Sequence, residues 1–384
     1  MDRLIRHRRV LLVMGERYNM RVHRGVAQYA SGNRWHLTNL FGTDPGPIRR
    51  RGCDGIVAVL DPDDPLTGAV LRRRVPKVDL SIIRDRLAMP HLTGDNEAMG
   101  REAALHFLDR GFRSFLWFSA RDHAPARKRC EGYTAELARH GFNCRRLVVD
   151  AQFGTRTPPW EKLEAWIHDE LAVAALPCAA YVYNDVQAAD LLDACVSGGI
   201  QVPHEVAVLG TDNHPLICPT AAVPLSSINH DLEELGRRAA AELDRLMSGE
   251  PSARRIITIP HRGITVRQSS DIFAINDPCM VRALRYLHAN FHRDLSVEDI
   301  VEASGTSRRS LQRCFKARLN QTIHGELMRL RVNRVCQLLR ETSYSVSDIA
   351  AVSGFNTPEY LHRIFRQRFG MTPRQYRMKE KERS

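Results

Sequence analysis

Short runs of apolar residues alternate along most of the chain with longer stretches in which the apolar positions recur at helical spacing. Amphipathic stretches such as NEAMGREAALHFLDRG and DVQAADLLDACVSGG lie between these runs. Alternating strands and helices predict parallel sheets with helices on both faces, arranged as one large sheet or as two smaller lobes. The predicted strands are RVLLVMG, WHLTNL, GIVAVL, PKVDLS, SFLWFSA, RRLVVD, AAYVYND and VAVLGTD.

From residue 277 onward the pattern is helical and repeats itself. SLQRCFKARLN at 310–320 matches YLHRIFRQRFG at 360–370, and VEDIVEASG at 297–305 matches VSDIAAVSG at 346–354. Each copy reads as a short helix, a glycine-bearing turn and a second helix, which is the order of a helix-turn-helix motif. The stretch between the copies, TIHGELMRLRVNRVCQLLRET, is long enough for one rigid helix.

The second helix of each copy has one apolar face and one polar, mainly cationic face. An α-helix fits the major groove of DNA, where arginine pairs with guanine and glutamine with adenine. A single copy is equally well explained as a solvated helix surface, but two copies of the same face favour DNA binding. The candidate DNA-binding residues are Arg308, Arg309, Gln312, Arg313 and Lys316 in the first copy, Glu359, His362, Arg363 and Arg366 in the second, and Arg374 beyond it.

The distribution of charge agrees with a polyanionic partner for the C-terminal part. The chain of 384 residues carries a formal net charge of +12. Residues 277–384 contain 20 lysine and arginine against 11 aspartate and glutamate residues, a net of +9, whereas residues 1–276 contain 36 against 33, a net of +3. A compact basic module on a nearly neutral body is typical of nucleic-acid binding.

The nine cysteines include no C-x-x-C pair and no cluster with zinc-ligand spacing. This usage predicts reduced thiols in a cytoplasmic protein, with no structural metal and no cofactor. The apolar run VLLVMG near the start is short and has charge on both sides, so it reads as a first strand rather than a signal peptide. No apolar run approaches the ~20 residues of a membrane helix, and no membrane partner is expected.

Polar residues follow several predicted strands in the N-terminal part. In open α/β sheets, ligands bind outside the carboxyl ends of the strands. Acids, amides and arginines at several strand ends favour a polyhydroxylated ligand as a set, although any one of them alone is more typical of a helix cap or loop. These residues are Glu16 and Arg17, Asp95 and Asn96, Arg121 and Asp122, Asn184 and Asp185, and Asp212 and Asn213.

The motif GFxxxxYLxRxFRxxFGxTPxxYR closely resembles the signature of AraC-type transcription regulators, over residues 277–377. The resemblance implies that the base-contacting positions are Arg309, Gln312 and Arg313 in the first copy and Glu359, His362 and Arg363 in the second. Pro358, early in the second reading helix, departs from the pattern and puts the docking of that helix in question.

Residues 8–268 resemble the sugar-sensing domain of LacI/GalR regulators and periplasmic sugar-binding proteins, most clearly in RKRCEGY, YNDVQAADLL and IQVPHEVAVLGTDN. The resemblance implies sugar-hydroxyl contacts by Arg129, Asn184 and Asp212, and a similar role for Asp95. Glu16 and Arg17 are placed in the site only by their strand end.

Together these features predict an α/β two-lobed, doubly wound domain of the periplasmic-binding-protein type at 1–270, a linker at 271–276 and an all-α domain with two helix-turn-helix motifs at 277–384. The combination resembles regulators of sugar-utilisation operons. It implies a transcription regulator, an activator by default, that senses D-xylose or another pentose. The expected partners are double-stranded promoter DNA, the sugar effector, a second copy of the chain in a homodimer, and RNA polymerase.

Three alternatives remain at this point. The regulator could sense another sugar or a non-sugar ligand, or act as a repressor. An enzyme with a DNA-binding appendage would need a catalytic motif, and no G-x-S-x-G, H-E-x-x-H or phosphate-binding glycine loop is present; only Cys130 offers a nucleophile. A periplasmic binding protein is disfavoured by the basic C-terminal repeat.

Overall fold

The computed structural model describes residues 7–383 except 62–63, 84–85, 155–156, 252–253, 275–276 and 320. These residues form two α/β lobes, each built on a six-stranded sheet, followed by a domain of seven helices. The fold class expected from the sequence is therefore confirmed, and the N-terminal part has two lobes rather than one large sheet.

The strands in chain order are β1 (Arg8–Val13), β2 (Trp35–Leu40), β3 (Gly55–Ala58), β4 (Lys77–Asp79), β5 (Pro90–Gly94), β6 (Ser114–Ser119), β7 (Arg145–Val148), β8 (Cys178–Val182), β9 (Val206–Thr211), β10 (Ser226–Ile228), β11 (Arg255–Ile259) and β12 (Ile264–Thr265). The helices of the two lobes are α1 (Met20–Gly32), α2 (Gly46–Arg50), α3 (Pro65–Arg72), α4 (Asn96–Asp109), α5 (Ala124–Arg139), α6 (Val149–Phe153), α7 (Trp160–Ala172), α8 (Asp185–Ser197) and α9 (Leu232–Met247). The C-terminal helices are α10 (Pro278–Asn290), α11 (Val297–Ser304), α12 (Arg308–Leu319), α13 (Ile323–Glu341), α14 (Val346–Val352), α15 (Pro358–Phe369) and α16 (Pro373–Arg383).

The first sheet has the order β11-β5-β4-β3-β1-β2 and is parallel throughout. The second has the order β12-β10-β9-β8-β6-β7 and is parallel except where β12 pairs with β10. All eight predicted strands are present. The pattern missed β5, β10, β11 and β12. Strands β10 and β12 have two or three residues, too few to show a period, and β5 and β11 pair with each other across more than 150 residues of chain.

Three chain crossings join the lobes, between β5 and α4, between β10 and α9, and between β11 and β12. Backbone hydrogen bonds tie them together. The Asp95 amide donates to Ile259 O at 2.9 Å, and the Asn229 amide donates to Gly263 O at 2.8 Å. Three adjacent crossings of this kind restrict the lobes to a hinge motion that opens and closes the cleft between them.

In the second lobe, α4 and α5 cross in direct backbone contact. A Cβ at Gly100 on α4 would overlap the carbonyl oxygen of Arg129, and a Cβ at Gly132 on α5 would overlap the carbonyl oxygen of Glu97. Phe107 and Tyr133 pack against the sheet from this pair and are fully buried. Glycine at both crossing points therefore sets the distance between the two helices.

The C-terminal helices share one core that contains Leu311, Phe315, Leu361 and Phe365, all fully buried. The two copies of the repeat begin with the same capping box. Ser296 and Asp299 exchange hydrogen bonds at the start of α11, as Ser345 and Asp348 do at the start of α14. The predicted single helix between the copies is confirmed as α13, which at 19 residues is about 28 Å long.

Gly100→Ala should destabilise the second lobe, because the new methyl group has no space beside the α5 backbone. We expect a loss of about 1–3 kcal/mol of unfolding free energy. Gly32→Ala is the matched control, since it lies at the end of α1 with no atom within 4 Å of its added Cβ. That variant should be neutral or slightly stabilising. Thermal unfolding followed by circular dichroism compares them, and equal midpoints would contradict the close crossing.

Candidate functional site

A cavity of about 180 Å³ lies between the two lobes, at the carboxyl ends of the strands. Its two sides differ in chemistry. Aliphatic side chains come from the first lobe, and most of the hydrogen-bonding groups come from the second lobe and the crossings. The aliphatic lining consists of Met14, Val22, Val59, Leu80, Ile83, Leu232 and Leu235. The main polar lining consists of Arg17, Asn19, Asn96, Arg129, Tyr183, Asn184, Asp212 and His230.

Arg129 is the cation at the centre of the polar side, and it is only 3% exposed. Its Nη2 and Nε donate to Asn96 Oδ1 at 2.8 and 3.2 Å, and its Nη1 donates to Tyr183 O. The guanidinium also lies 4.7 Å from the centre of the Tyr183 ring. No carboxylate of the described residues forms an ion pair with it. A guanidinium has five N–H groups, so two remain for oxygen atoms of a ligand.

Arg17 reaches the cavity from the first lobe, in the turn that follows β1. Its Nε donates to Asp61 Oδ2 at 2.6 Å, and the Asp61 carboxylate is largely buried. This ion pair holds the Arg17 guanidinium in one orientation while leaving about a third of the side chain exposed. The second lobe faces it with Arg129, so a ligand between the lobes meets a cation from each side.

Asp212 and His230 form a pair at the hinge side of the cavity, with Asp212 Oδ1 3.1 Å from His230 Nδ1. Arg21 clamps their backbone by donating to Asp212 O and to His230 O. Asp212 has a φ of 106° and Asn213 a φ of 48°, a left-handed turn that strains two non-glycine residues. The buried Nε2 of His230 has no hydrogen-bond partner among the described residues. Such an atom in a cavity wall is a candidate ligand contact.

Asp185 lies behind Asp212 and is 1% exposed. It accepts hydrogen bonds from Ser227 Oγ at 2.6 Å and from the His214 amide at 2.7 Å. Burial, together with the negative charge of Asp212, raises the pKa of the Asp185 carboxyl from 3.8 to about 7. The charge of the cavity wall near Asp212 therefore depends on pH in the neutral range.

The structure brings Arg17, Arg129, Asn184 and Asp212 together around the one cavity. Asn184 also caps α8 by accepting from the Gln187 amide at 3.0 Å. Glu16 and Asp95, two of the candidate ligand residues, do not line the cavity.

Glu16 is exposed in a short 3-10 turn, because the chain reverses direction there and turns its side chain to solvent. The Asp95 carboxylate accepts from the Ala98 amide at 3.0 Å and so caps α4, and its neighbour Asn96 takes the cavity position. Asn19, Tyr183 and His230 also line the cavity and were not expected there from the sequence. Tyr183 directly precedes Asn184 at a strand end, so the strand-end rule could have identified it. Asn19 reaches the cavity from the cap of α1, and His230 reaches it from a crossing between the lobes.

The candidate DNA-binding residues lie on the outer faces of α12, α15 and α16. All are exposed except His362, which is half-buried. Arg308 forms an ion pair with Glu298 of α11, and the Arg363 guanidinium lies 5.1 Å from the centre of the Tyr360 ring. These two contacts orient the cations without covering them. The two second helices of the repeat thus present similar polar faces, rich in arginine.

Pro358 occupies the first position of α15, directly after the cap residue Thr357, whose Oγ1 accepts from the Tyr360 amide at 3.1 Å. A proline there removes only an amide that has no helical partner, so α15 begins without a kink. Gly354 precedes it with a φ of 81°, and a Cβ there would approach Phe291 O. The proline is therefore compatible with the helix-turn-helix geometry.

Cys130, the candidate nucleophile, lies on the buried side of α5 and is 3% exposed. Burial raises the pKa of its thiol to about 11. A protonated, buried thiol is a packing residue rather than a nucleophile. Within the ranges that the structure describes, no helix is both long and apolar enough to span a membrane.

Comparisons with known proteins agree with this division of the chain. Residues 104–270 match a periplasmic binding protein-like domain, and residues 300–379 match a helix-turn-helix domain. The xylose operon regulatory protein of Haemophilus influenzae is 27% identical, over 94% of this chain and 95% of that protein. The protein of the same name from Escherichia coli strain K12 is 25% identical, over 97% of each chain. The chain is similar to the xylose operon regulatory proteins over nearly its whole length.

A solved structure of the xylose-binding transcription activator xylR supports the same fold. It superposes with a TM-score of 0.61 and 23% identity, over 97% of this chain and 98% of that one. The likeness extends across both lobes and the helical domain. The homologues and the helix-turn-helix domain together support a sugar-responsive transcription regulator.

The Asp185 carboxyl makes stability depend on pH. The folded state holds the Asp185 proton more tightly than the unfolded chain does. The free energy of unfolding that this proton contributes is fully present below about pH 4 and is lost as the pH rises through about 7. One such group contributes at most about 1.4 kcal/mol per pH unit. Asp212→Asn removes the neighbouring negative charge and should lower the pKa of Asp185. The free energy of unfolding should then decrease less between about pH 5 and 8 than in the parent chain.

Thermal unfolding of the full chain at several pH values between about 5 and 8 measures this slope. The matched control is Asp169→Asn, which removes an exposed carboxylate on α7 and should leave the slope as in the parent chain. The same slope in the Asp212→Asn protein would contradict the interaction between the two carboxyl groups.

Proposed function

We propose that this chain is a cytoplasmic transcription activator that binds D-xylose or another pentose between its lobes. As a homodimer it reads promoter DNA through α12 and α15 and acts on RNA polymerase. The observation that carries the proposal is one chain that joins an interlobe cavity to a duplicated cationic helix face. The names of the full-length relatives, both xylose operon regulatory proteins, support the choice of sugar.

The size and chemistry of the cavity fit a small polyhydroxylated ligand. Its volume of about 180 Å³ lies below the ~300–1,000 Å³ of sites for drug-sized molecules. The free N–H groups of Arg129, the Asn184 amide and the Asp212 carboxylate offer donors and acceptors to ring hydroxyls. The aliphatic wall of the first lobe packs against the C–H face of the ring. A monosaccharide meets both demands at once.

Ligand binding is proposed to favour the closed arrangement of the lobes. Arg17 comes from the first lobe, whereas Arg129 and Asp212 come from the second, so a sugar that contacts all three bridges the cleft. A ligand shifts a conformational equilibrium only by its difference in affinity for the two states. Contacts from both lobes supply that difference, since they form together only when the cleft is closed.

Base recognition is proposed for Arg309, Gln312 and Arg313 of α12 and for Glu359, His362 and Arg363 of α15. The flanking cations Arg308, Lys316, Arg366 and Arg374 are assigned to the phosphate backbone. The spacer α13, about 28 Å long, supports a separation of the two reading helices close to one turn of DNA, roughly 34 Å. The two helices would then enter successive major grooves on one side of the duplex.

The proposal contains no catalytic step. The homologues are transcription regulators with helix-turn-helix domains, and the one candidate nucleophile, Cys130, is a buried thiol of raised pKa. The basic faces of α12 and α15 are accounted for by DNA binding alone.

A thermal-shift screen of the full chain against pentoses, hexoses and polyols tests the ligand. A sugar at 100 times its Kd should stabilise the folded state by about 2.7 kcal/mol. Asp212→Ala removes a cavity acceptor and should abolish the shift, whereas Glu16→Ala, outside the cavity, should keep it. If the sugar still stabilised the Asp212→Ala protein, Asp212 would not be part of the binding site. If no pentose stabilised the parent chain, the proposed pentose effector would be contradicted.

Fluorescence anisotropy with the promoter beside the gene tests the DNA face. Arg363→Ala and Arg313→Ala should each weaken specific binding by about 1–3 kcal/mol, as expected for a base-reading arginine. Arg285→Ala is the matched control, because it removes an exposed arginine from α10, outside both reading helices. Equal losses of affinity for the promoter and for random duplexes would show that these arginines contact phosphates instead of bases. No loss of affinity for either duplex would show that these helix faces do not bind DNA.

A further inference from the structure

Helix α4 runs from the ligand cavity to the DNA-binding domain. Its first residue, Asn96, lines the cavity and accepts two hydrogen bonds from Arg129 through Oδ1. The Asn96 side-chain amide also donates to Gly94 O at 3.0 Å, so this end is tied to the crossing from β5. With 14 residues the helix is about 20 Å long, and its last residue is Asp109.

Helix α5 locks α4 against sliding. The two helices touch through Gly100 and Gly132, where the backbones leave no space for a Cβ. At the cavity end they are joined again by the hydrogen bonds between Asn96 and Arg129. The two cavity residues therefore belong to one packed unit. A displacement of either residue would move α4 with it.

The far end of α4 meets the spacer helix α13. The Asp109 carboxylate forms an ion pair with Arg329, whose Nε also donates to Glu326 Oε2 at 2.9 Å. All three side chains are largely buried: Asp109 is 17% exposed, Arg329 11% and Glu326 2%. An ion pair shielded from water to this extent is costly to break, because each partner is left as a buried charge.

A second contact runs beside the first. The Arg110 Nε donates to Ser270 O at 3.1 Å, and the Ala274 amide donates to Arg110 O at 2.8 Å. Between them, Phe273 packs in the core of the helical domain, 5.2 Å from the His288 ring centre. Residues 270–274, which precede the DNA-binding domain, are thus held to the end of α4, beside the ion pair of Asp109 with Arg329.

We propose that α4 couples the cavity to the reading helices, with the cluster of Asp109, Arg329 and Glu326 as the contact that transmits the ligand state. This inference rests on the proposed function. Since α13 separates the two helix-turn-helix copies, a change in its orientation relative to the sensor moves both reading helices together. A ligand bound at Asn96 and Arg129 favours one orientation of α4. The ion pair between Asp109 and Arg329 then makes α13 follow that orientation.

The test measures how D-xylose changes the affinity of the full chain for promoter DNA. The coupling factor is the ratio of the DNA Kd without and with the sugar, typically about 5- to 150-fold in allosteric proteins. Asp109→Asn should reduce this factor to less than about 2-fold while leaving the D-xylose Kd within about 2-fold of the parent chain. Asp109→Glu keeps the charge and should restore part of the factor.

Glu136→Gln is the control, because it removes a carboxylate that is 10% exposed and pairs with the exposed Arg139 on α5, inside the same lobe. It should leave the coupling factor unchanged. Arg329→Lys is a second variant that keeps the charge beside Glu326 but loses the fork geometry, and it should give an intermediate factor. A parent-like coupling factor in Asp109→Asn would overturn the proposal.

Hydrogen exchange supplies a readout that needs no sugar. Exchange in residues 268–274 and 323–329 should rise several-fold in Asp109→Asn and stay at the parent level in Glu136→Gln. Unchanged exchange in Asp109→Asn would contradict the contact at α13. A parent chain that bound neither D-xylose nor promoter DNA would contradict the proposed function, while the exchange result would still decide whether the ion pair holds the domains together.

Discussion

The buried guanidinium of Arg129 joins the parts of the second lobe on which the rest of the molecule depends. It hydrogen-bonds to Asn96 at the start of α4 and to the Tyr183 carbonyl at the end of β8, and it stacks on the Tyr183 ring. A buried cation without a carboxylate partner is costly unless its N–H groups are satisfied. This requirement fixes the start of α4 and the end of β8 relative to α5, and two N–H groups of the guanidinium remain beside the cavity.

The close crossing of α4 and α5 extends the effect of this side chain. Glycine at positions 100 and 132 lets the two backbones touch, so the helix that carries Arg129 and the helix that carries Asn96 pack as one unit. That unit has the cavity at one end and the ion pair with α13 at the other. A sensor and a DNA-binding domain are thereby connected by packed structure rather than by a flexible tether alone.

Several elements followed directly from local patterns. The eight predicted strands and the single helix between the two repeats are observed, because burial on a sheet or along a helix face imposes a period on neighbouring residues. The equivalence of the two helix-turn-helix copies was evident in the sequence for the same reason. Their capping boxes and left-handed glycines Gly305 and Gly354 reproduce one local structure twice.

The cavity was only partly predictable. Arg17, Asn184 and Asp212 stand directly after strands, and the carboxyl ends of parallel strands meet at one edge. The same rule selected Glu16 and Asp95, whose side chains turn to solvent and to the α4 amides instead. His230 lies on a crossing between lobes, and no local pattern marks such a position.

The sequence by itself determined the order of the modules, the cationic faces of α12 and α15 and the basic charge of the C-terminal domain, since each depends on residues a few positions apart. Only the tertiary structure decided which polar residues share the cavity and which helix connects it to α13. Asp109 and Arg329 are 220 residues apart in the chain, and their pairing depends on how the domains pack. Local periodicity carries no information about such contacts, because they arise from the packing of whole elements.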